Sequence, residues 1–243
     1  MGTHHNSNGR GGDQRRGKPA HSKDDALSSR EFELLFEGAE RLDHRDDVLQ
    51  TKFALLVMGR LGLRVSELVH LTGTWIDRRK RMIHVPRREP CQMGREGSVC
   101  GTCTQHAAQK ADHNPHLTIE DALNQAWSAK SESAARSIPY DFSPRVEIWI
   151  ERFTERYDDG WPHTATTVKR RLDWAKDAAE GLDEKHIYPH SLRATAASYH
   201  VAQGVDTMTL RNIMGWADEK TAERYVAHSS GRVTTVLRDV HQR

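Results

Sequence analysis

Residues 46–62, DDVLQTKFALLVMGRLG, read as a helix buried over most of its surface, ending at Gly62. Its apolar run FALLVM (53–58) is far too short to span a bilayer, which takes about 20 apolar residues. A helix of this kind has no wide face to offer water, so other elements of the chain must wrap it. A mostly helical domain with a real core is therefore the first expectation, and 243 residues suffice for one large domain or two small ones.

The wrapping elements follow from periodicity. SSREFELLFEGAERL (28–42) starts on a serine cap and repeats apolar residues at helical spacing. LRVSELVHL (63–71) restarts as a short helix after Gly62. TWID and RMIHVP flank a charged turn and predict a β-hairpin over 74–86. Residues 88–116 read as a loop holding all three cysteines, LTIEDALNQAW (117–127) as a helix, and SAKSESAARSIPY (128–140) as a strand pair or extended turn. Further helices are expected at about 144–157, 164–180, 190–203, 206–214, 218–228 and 232–241. No internal repeat is visible. The fold class is mainly α with a small antiparallel β-sheet, α+β. The first 27 residues, rich in Gly, Ser and His and mildly basic, read as a disordered tail with no apolar core of an export signal. With that and an odd cysteine count, the expected compartment is the reducing cytoplasm.

Three spots carry chemistry. YPHSLRATAASYH (188–200) puts His190 and Arg193 on one face at a helix start favoured by Pro189, which is an anion site in outline. GLRVSEL places Arg64 after a glycine turn with Glu67 three residues on. MGW (214–216) precedes a helix bearing Tyr225, 32 positions beyond Arg193. Arginines bind the non-bridging oxygens of a phosphodiester and stay charged, and a tyrosine can attack phosphorus covalently. Net charge is only +2, so nucleic-acid contacts depend on local clusters: Arg78, Arg79, Lys80 and Arg81 in RRKRMIHVPRR, and Lys169, Arg170 and Arg171. Plain solvated faces are the alternative for both.

The order GLRxSEL, HxLR, a G-H/W dipeptide and a TxxxY helix resembles the catalytic domain of tyrosine recombinases, or phage integrases, over about residues 30–240. IYPHSLRATAASYH and MGWADEKTAERY are similar to segments of haloarchaeal members. The resemblance implies the DNA breaking–rejoining enzyme fold over 28–243. It also implies a reaction that cuts and rejoins DNA through a 3′-phosphotyrosyl link without metal or ATP. Arg64 and Arg193 would clamp the phosphate, Glu67 would orient Arg64, His190 would move a proton, Trp216 would donate from its indole, and Tyr225 would attack. A hairpin lysine serves the family as general acid; Lys130, on a hairpin turning at SES, is the choice here, with Lys80 and Arg81 competing. Double-stranded DNA is the implied partner, bound as a dimer or tetramer in the nucleoid. The helical core-binding domain usual ahead of the catalytic one is not evident. That keeps open a non-catalytic DNA-binding protein or integrase remnant, and type IB topoisomerase-like relaxation is a third reading.

Cys91, Cys100, Cys103 and His106 form C-x8-C-x2-C-x2-H, a set suited to a tetrahedral structural zinc remote from the phosphate. His84 and His113 are alternatives to His106, and free thiols in a loop are the alternative to a metal.

Overall fold

The computed structural model describes residues 24–124, 127–129, 131–182 and 187–227, with 233, 234, 237, 238 and 241 beyond them. Every residue from Gln50 to Gly59 in helix α2 (Arg45–Gly59) is buried, as the apolar run requires. Four helices enclose it: α1 (Ser29–Glu40), α6 (Pro144–Arg156), α7 (Ala165–Asp177) and α8 (Pro189–Ala202). Close approach of α1 to α2 needs Gly59, where an added Cβ would lie 2.4 Å from the Phe32 ring.

Local chemistry sets the helix starts. Ser28 and Glu31 form a reciprocal capping box at α1. Asp206 accepts from the backbone N–H groups of Met208 and Thr209 at α9 (Thr207–Met214), and Asp218 from that of Lys220 at α10 (Glu219–Val226). Pro189 occupies the first turn of α8. The chain is already packed before α1: Leu27 is buried and donates its N–H to Thr195 Oγ1 at 2.8 Å, and the Tyr188 hydroxyl donates to Asp25. Asp25 and Leu27, which the sequence reading put in the tail, are thus held by bonds to Tyr188 and Thr195, and residues 1–23 lie outside the described residues.

The expected hairpin forms from β1 (Ile76–Asp77) and β2 (Met82–Val85), and β5 (Arg136–Pro139) adds to it antiparallel with Ile83 opposite Ile138. A second antiparallel pair joins β3 (Arg88–Glu89) to β4 (Trp127–Ser128). Two expectations are corrected here. The segment 128–140 is not a hairpin, because β4 and β5 enter different sheets. Nor is 88–116 a loop throughout, since residues Gly101–His113 form helix α4, which packs on α5 (Ile119–Asn124). Its buried side chains are Cys103 and Ala107, one turn apart, a face too narrow to stand out as periodicity. In the expected last helix, residues 233, 234, 237, 238 and 241 are helical. Among the described residues no helix is long and apolar enough to cross a membrane.

Candidate active site

The end of α9 organises the site. A helix leaves its last carbonyls without partners and concentrates negative potential there. Three of them each accept from a different arginine: Ile213 from Arg136 Nε at 2.7 Å, Met214 from Arg193 Nη2, and Gly215 from Arg64 Nη2 at 3.1 Å. Gly215 turns the chain at φ +58°, and a Cβ there would sit 3.0 Å from Arg136 Cδ. The glycine of MGW thus serves both the left-handed turn and the close approach of a guanidinium.

Arg64 precedes the short helix α3 (Val65–Leu68), and Glu67 folds back to it. Glu67 Oε1 accepts from Arg64 Nη1 at 2.7 Å and Oε2 from the Arg64 backbone N–H at 2.8 Å. The same carboxylate takes a second guanidinium, with Arg136 Nη1 at 3.0 Å from Oε1 and Nη2 at 2.9 Å from Oε2. Burial alone would raise the Glu67 carboxyl; the charge and hydrogen bonds of Arg136, with the charges of Arg193 and Arg64, together outweigh it and bring the pKa down to about 2. Arg193, 3% exposed, also donates to the Gly62 carbonyl. Burial and then neighbouring Arg64 disfavour its charge, and Glu67 opposes them. Two of its five N–H groups have backbone acceptors, leaving others for an anion.

Arg64, His190, Arg193 and Lys169 line one cleft of about 640 Å³, into which exposed His190 opens beside Tyr188. Arg193 reaches the other half of the site, its Cζ 6.0 Å from the centroid of the Trp216 ring. Trp216 in turn stacks on Tyr225, with centroids 5.3 Å apart and planes at 21°. Tyr225 is 8% exposed and near enough to Arg193 to favour its charged form. The structure therefore gathers Arg64, Glu67, His190, Arg193, Trp216 and Tyr225 from four separate segments. Lys130 lies outside the described residues. Arg136 is the residue that sequence reasoning missed; ARSIP reads as an ordinary strand, and the only hint is a basic residue at its start.

The basic clusters divide. Lys169 and Arg170 on α7 are exposed, Lys169 at the cleft and Arg170 over Trp174 at 5.0 Å. Arg171 corrects the expectation of a DNA contact: it is 4% exposed and bonded to Asp47 and Gln50. On the β1–β2 turn Arg79 is exposed, while Arg78 pairs with Glu151 at 2.8 Å, Lys80 with Asp77 at 3.7 Å and Arg81 with Glu147.

The cysteines converge as expected, but on another histidine. Cys91, Cys100 and Cys103 gather with His70, all four ligand atoms within 4.8 Å of one another. His106 and His113 are exposed on α4, and His84 bonds to Ser137, so none of the three histidines expected from the sequence joins the group. Nor is the group remote: His70, Cys103 and Arg64 line a common cavity of about 640 Å³.

Two arginines and a histidine thus line one cleft, with Trp216 and Tyr225 beyond Arg193, on a mainly helical scaffold with a small antiparallel sheet. The chain belongs to the phage integrase family, whose model matches residues 26–232. A tyrosine recombinase XerC of Corynebacterium efficiens is 24% identical over 208 residues, covering 86% of this chain and 56% of that protein. A XerD of Bradyrhizobium diazoefficiens is 25% identical over 224 residues, covering 88% and 62%. Among solved structures, XerA recombinase aligns with a TM-score of 0.55 at 18% identity, over 90% of this chain and 63% of that one. The Tn1549 transposon integrase in complex with transposon right end DNA aligns at 0.57 and 16%, over 89% and 65%. The chain spans less than two thirds of the length of each of these proteins.

Proposed function

We propose that this chain is the catalytic part of a site-specific DNA recombinase or integrase that works through a 3′-phosphotyrosyl intermediate, with haloarchaeal integrases among its kin. The observation that carries the reading is the convergence on one helix end: Arg64 and Arg193 held by the α9 terminus, with Trp216 linking Arg193 to Tyr225. The catalytic unit is taken as 28–243.

In this mechanism Arg64 and Arg193 bind the non-bridging oxygens of the scissile phosphate. Tyr225 Oη attacks phosphorus, forming a P–O bond as the bond to the 5′-oxygen breaks. His190 assists the proton transfer, and Lys130 protonates the departing 5′-oxygen. Trp216 donates its indole N–H to a phosphate oxygen but cannot carry a proton. Attack by a partner strand's 5′-hydroxyl reverses these bonds, so neither ATP nor a catalytic metal is required. Fixed cations placed before the reaction supply much of the acceleration.

The partner is double-stranded DNA, approached by Lys169, Arg170 and Arg79, in a cytoplasmic, nucleoid setting. Exposed Val233 and Leu237 support docking of the last helix on a second protomer, giving a dimer or tetramer on DNA. The test is a nicked suicide duplex: wild type should form a denaturant-resistant protein–DNA adduct, and Tyr225→Phe should form none. An adduct of equal yield from Tyr225→Phe would show that another residue is the nucleophile, and no adduct from wild type would leave the second reading, a non-catalytic DNA-binding protein.

A further inference from the structure

The Cys/His group has the composition and the spacing of a metal site, and its position gives it a task. His70 Nε2 lies 3.3 Å from Cys103 Sγ and 3.7 Å from Cys100 Sγ. A tetrahedral zinc with Zn–S about 2.3 Å and Zn–N about 2.0 Å would set its N–S edges at about 3.5 Å. Cys91 Sγ closes the set, accepting from the Cys100 backbone N–H at 3.4 Å. The histidine is already oriented for ligation. Its Nδ1 lies 2.8 Å from the Ser66 carbonyl, which can only accept, so Nδ1 carries the proton and Nε2 presents its lone pair to the thiols. Cys100 stands at the N-cap position of α4 and Cys103 lies in its first turn, so one helix start brings both sulfurs to His70. Trp127 covers the imidazole at 5.6 Å between ring centroids.

We infer that His70, Cys91, Cys100 and Cys103 bind one structural zinc, and that this metal staples the inserted segment 91–113 to the turn carrying Arg64. Zinc would replace the three thiol protons, which pass to solvent, leaving neutral His70 as the fourth ligand. The link to the turn is short: the Ser66 carbonyl that orients His70 belongs to α3, whose first residue follows Arg64. Without metal, α4 would be anchored through only two buried side chains, Cys103 and Ala107. With it, the insertion becomes a brace behind the arginine that Glu67 holds.

The inference stands apart from the strand-transfer reading, because every measurement uses the full chain free of DNA. Metal analysis after gel filtration should find about one zinc per chain; less than about 0.1 equivalent overturns the site. His70→Ala and Cys103→Ser should each lose the zinc, whereas His106→Ala and His113→Ala should retain it. Retention in His70→Ala with loss in His106→Ala would overturn the ligand assignment. Should the ligand variants fail to fold, wild type loaded with cobalt(II) decides: tetrahedral thiolate charge-transfer bands are expected, and an octahedral, thiolate-free spectrum refutes the site. The staple is read by hydrogen exchange with and without chelator. Protection should fall at 64–70 as well as 91–113 and stay unchanged in α8; a response confined to 91–113 would refute it.

Discussion

Glu67 and Arg136 meet through both carboxylate oxygens, at 2.9 and 3.0 Å, although they lie 69 residues apart. Both side chains are buried, with side-chain exposures of 1% and 5%. A bidentate, desolvated pair of this kind is a rigid plane, and Arg64 is fastened to the same carboxylate. Glu67 can orient Arg64 because Arg136 holds Glu67.

Removing Arg136 should therefore cost more than one hydrogen bond. Arg136→Ala leaves Glu67 buried with a single partner and should destabilise the protein by about 3–5 kcal/mol in urea unfolding. Arg136→Lys keeps the charge but not the fork, and should recover only part of it. A loss below about 1 kcal/mol in Arg136→Ala would show that the pair does not hold the site together.

The same carboxylate predicts a pH dependence. Glu67 titrates near 4.5 when free and at about 2 in the fold, so its stabilisation is complete above about pH 5. It is lost as pH falls through 4.5 towards 2, and the whole effect is about 3 kcal/mol. Glu67→Gln should flatten the fall in stability between pH 5 and 2 relative to wild type. Parallel curves for the two proteins would count against the depressed carboxyl.

Trp216→Phe separates stacking from hydrogen bonding. The phenyl ring still offers Tyr225 a surface, so stability should change by less than about 1 kcal/mol. Strand cleavage should fall about 10²-fold through loss of the indole donor, and Trp216→His should restore much of it. Cleavage by Trp216→Phe at the wild-type rate would mean that the indole N–H does not reach the phosphate.

Lys169 and Arg171 are two positions apart on α7 and should behave oppositely. Lys169→Ala should weaken DNA binding and lower the slope of log K against log salt by about one, with stability unchanged. Arg171→Ala strands Asp47 and Gln50 and should destabilise by about 3 kcal/mol, leaving the salt slope of the folded protein intact. The reverse pattern in filter-binding and unfolding assays would exchange their roles.

Much of this protein is written in short-range signals. The apolar run at 53–58 announces a buried helix, and Ser28 and Pro189 announce helix starts. Each rests on contacts within a turn or so of helix, so neighbouring residues decide them. The same range holds Arg64 with Glu67 and His190 with Arg193, which is why the residues proposed to bind phosphate could be named from spacing and resemblance. The partners that complete the site are far apart in the chain. Arg136 reaches Glu67 across 69 residues, His70 reaches Cys103 across 33, and Arg171 turns inward to Asp47 across 124. A buried charge takes whichever counter-charge packing brings to it, and no local pattern records that choice. For the same reason β4 and β5, neighbours in sequence, join different sheets. The sequence by itself determined most of the helices, where they start and the residue types proposed to meet a phosphate. Only the tertiary structure decided which arginine braces Glu67, which histidine faces the thiols and which cations of α7 stay exposed, because those depend on desolvation and packing between distant segments.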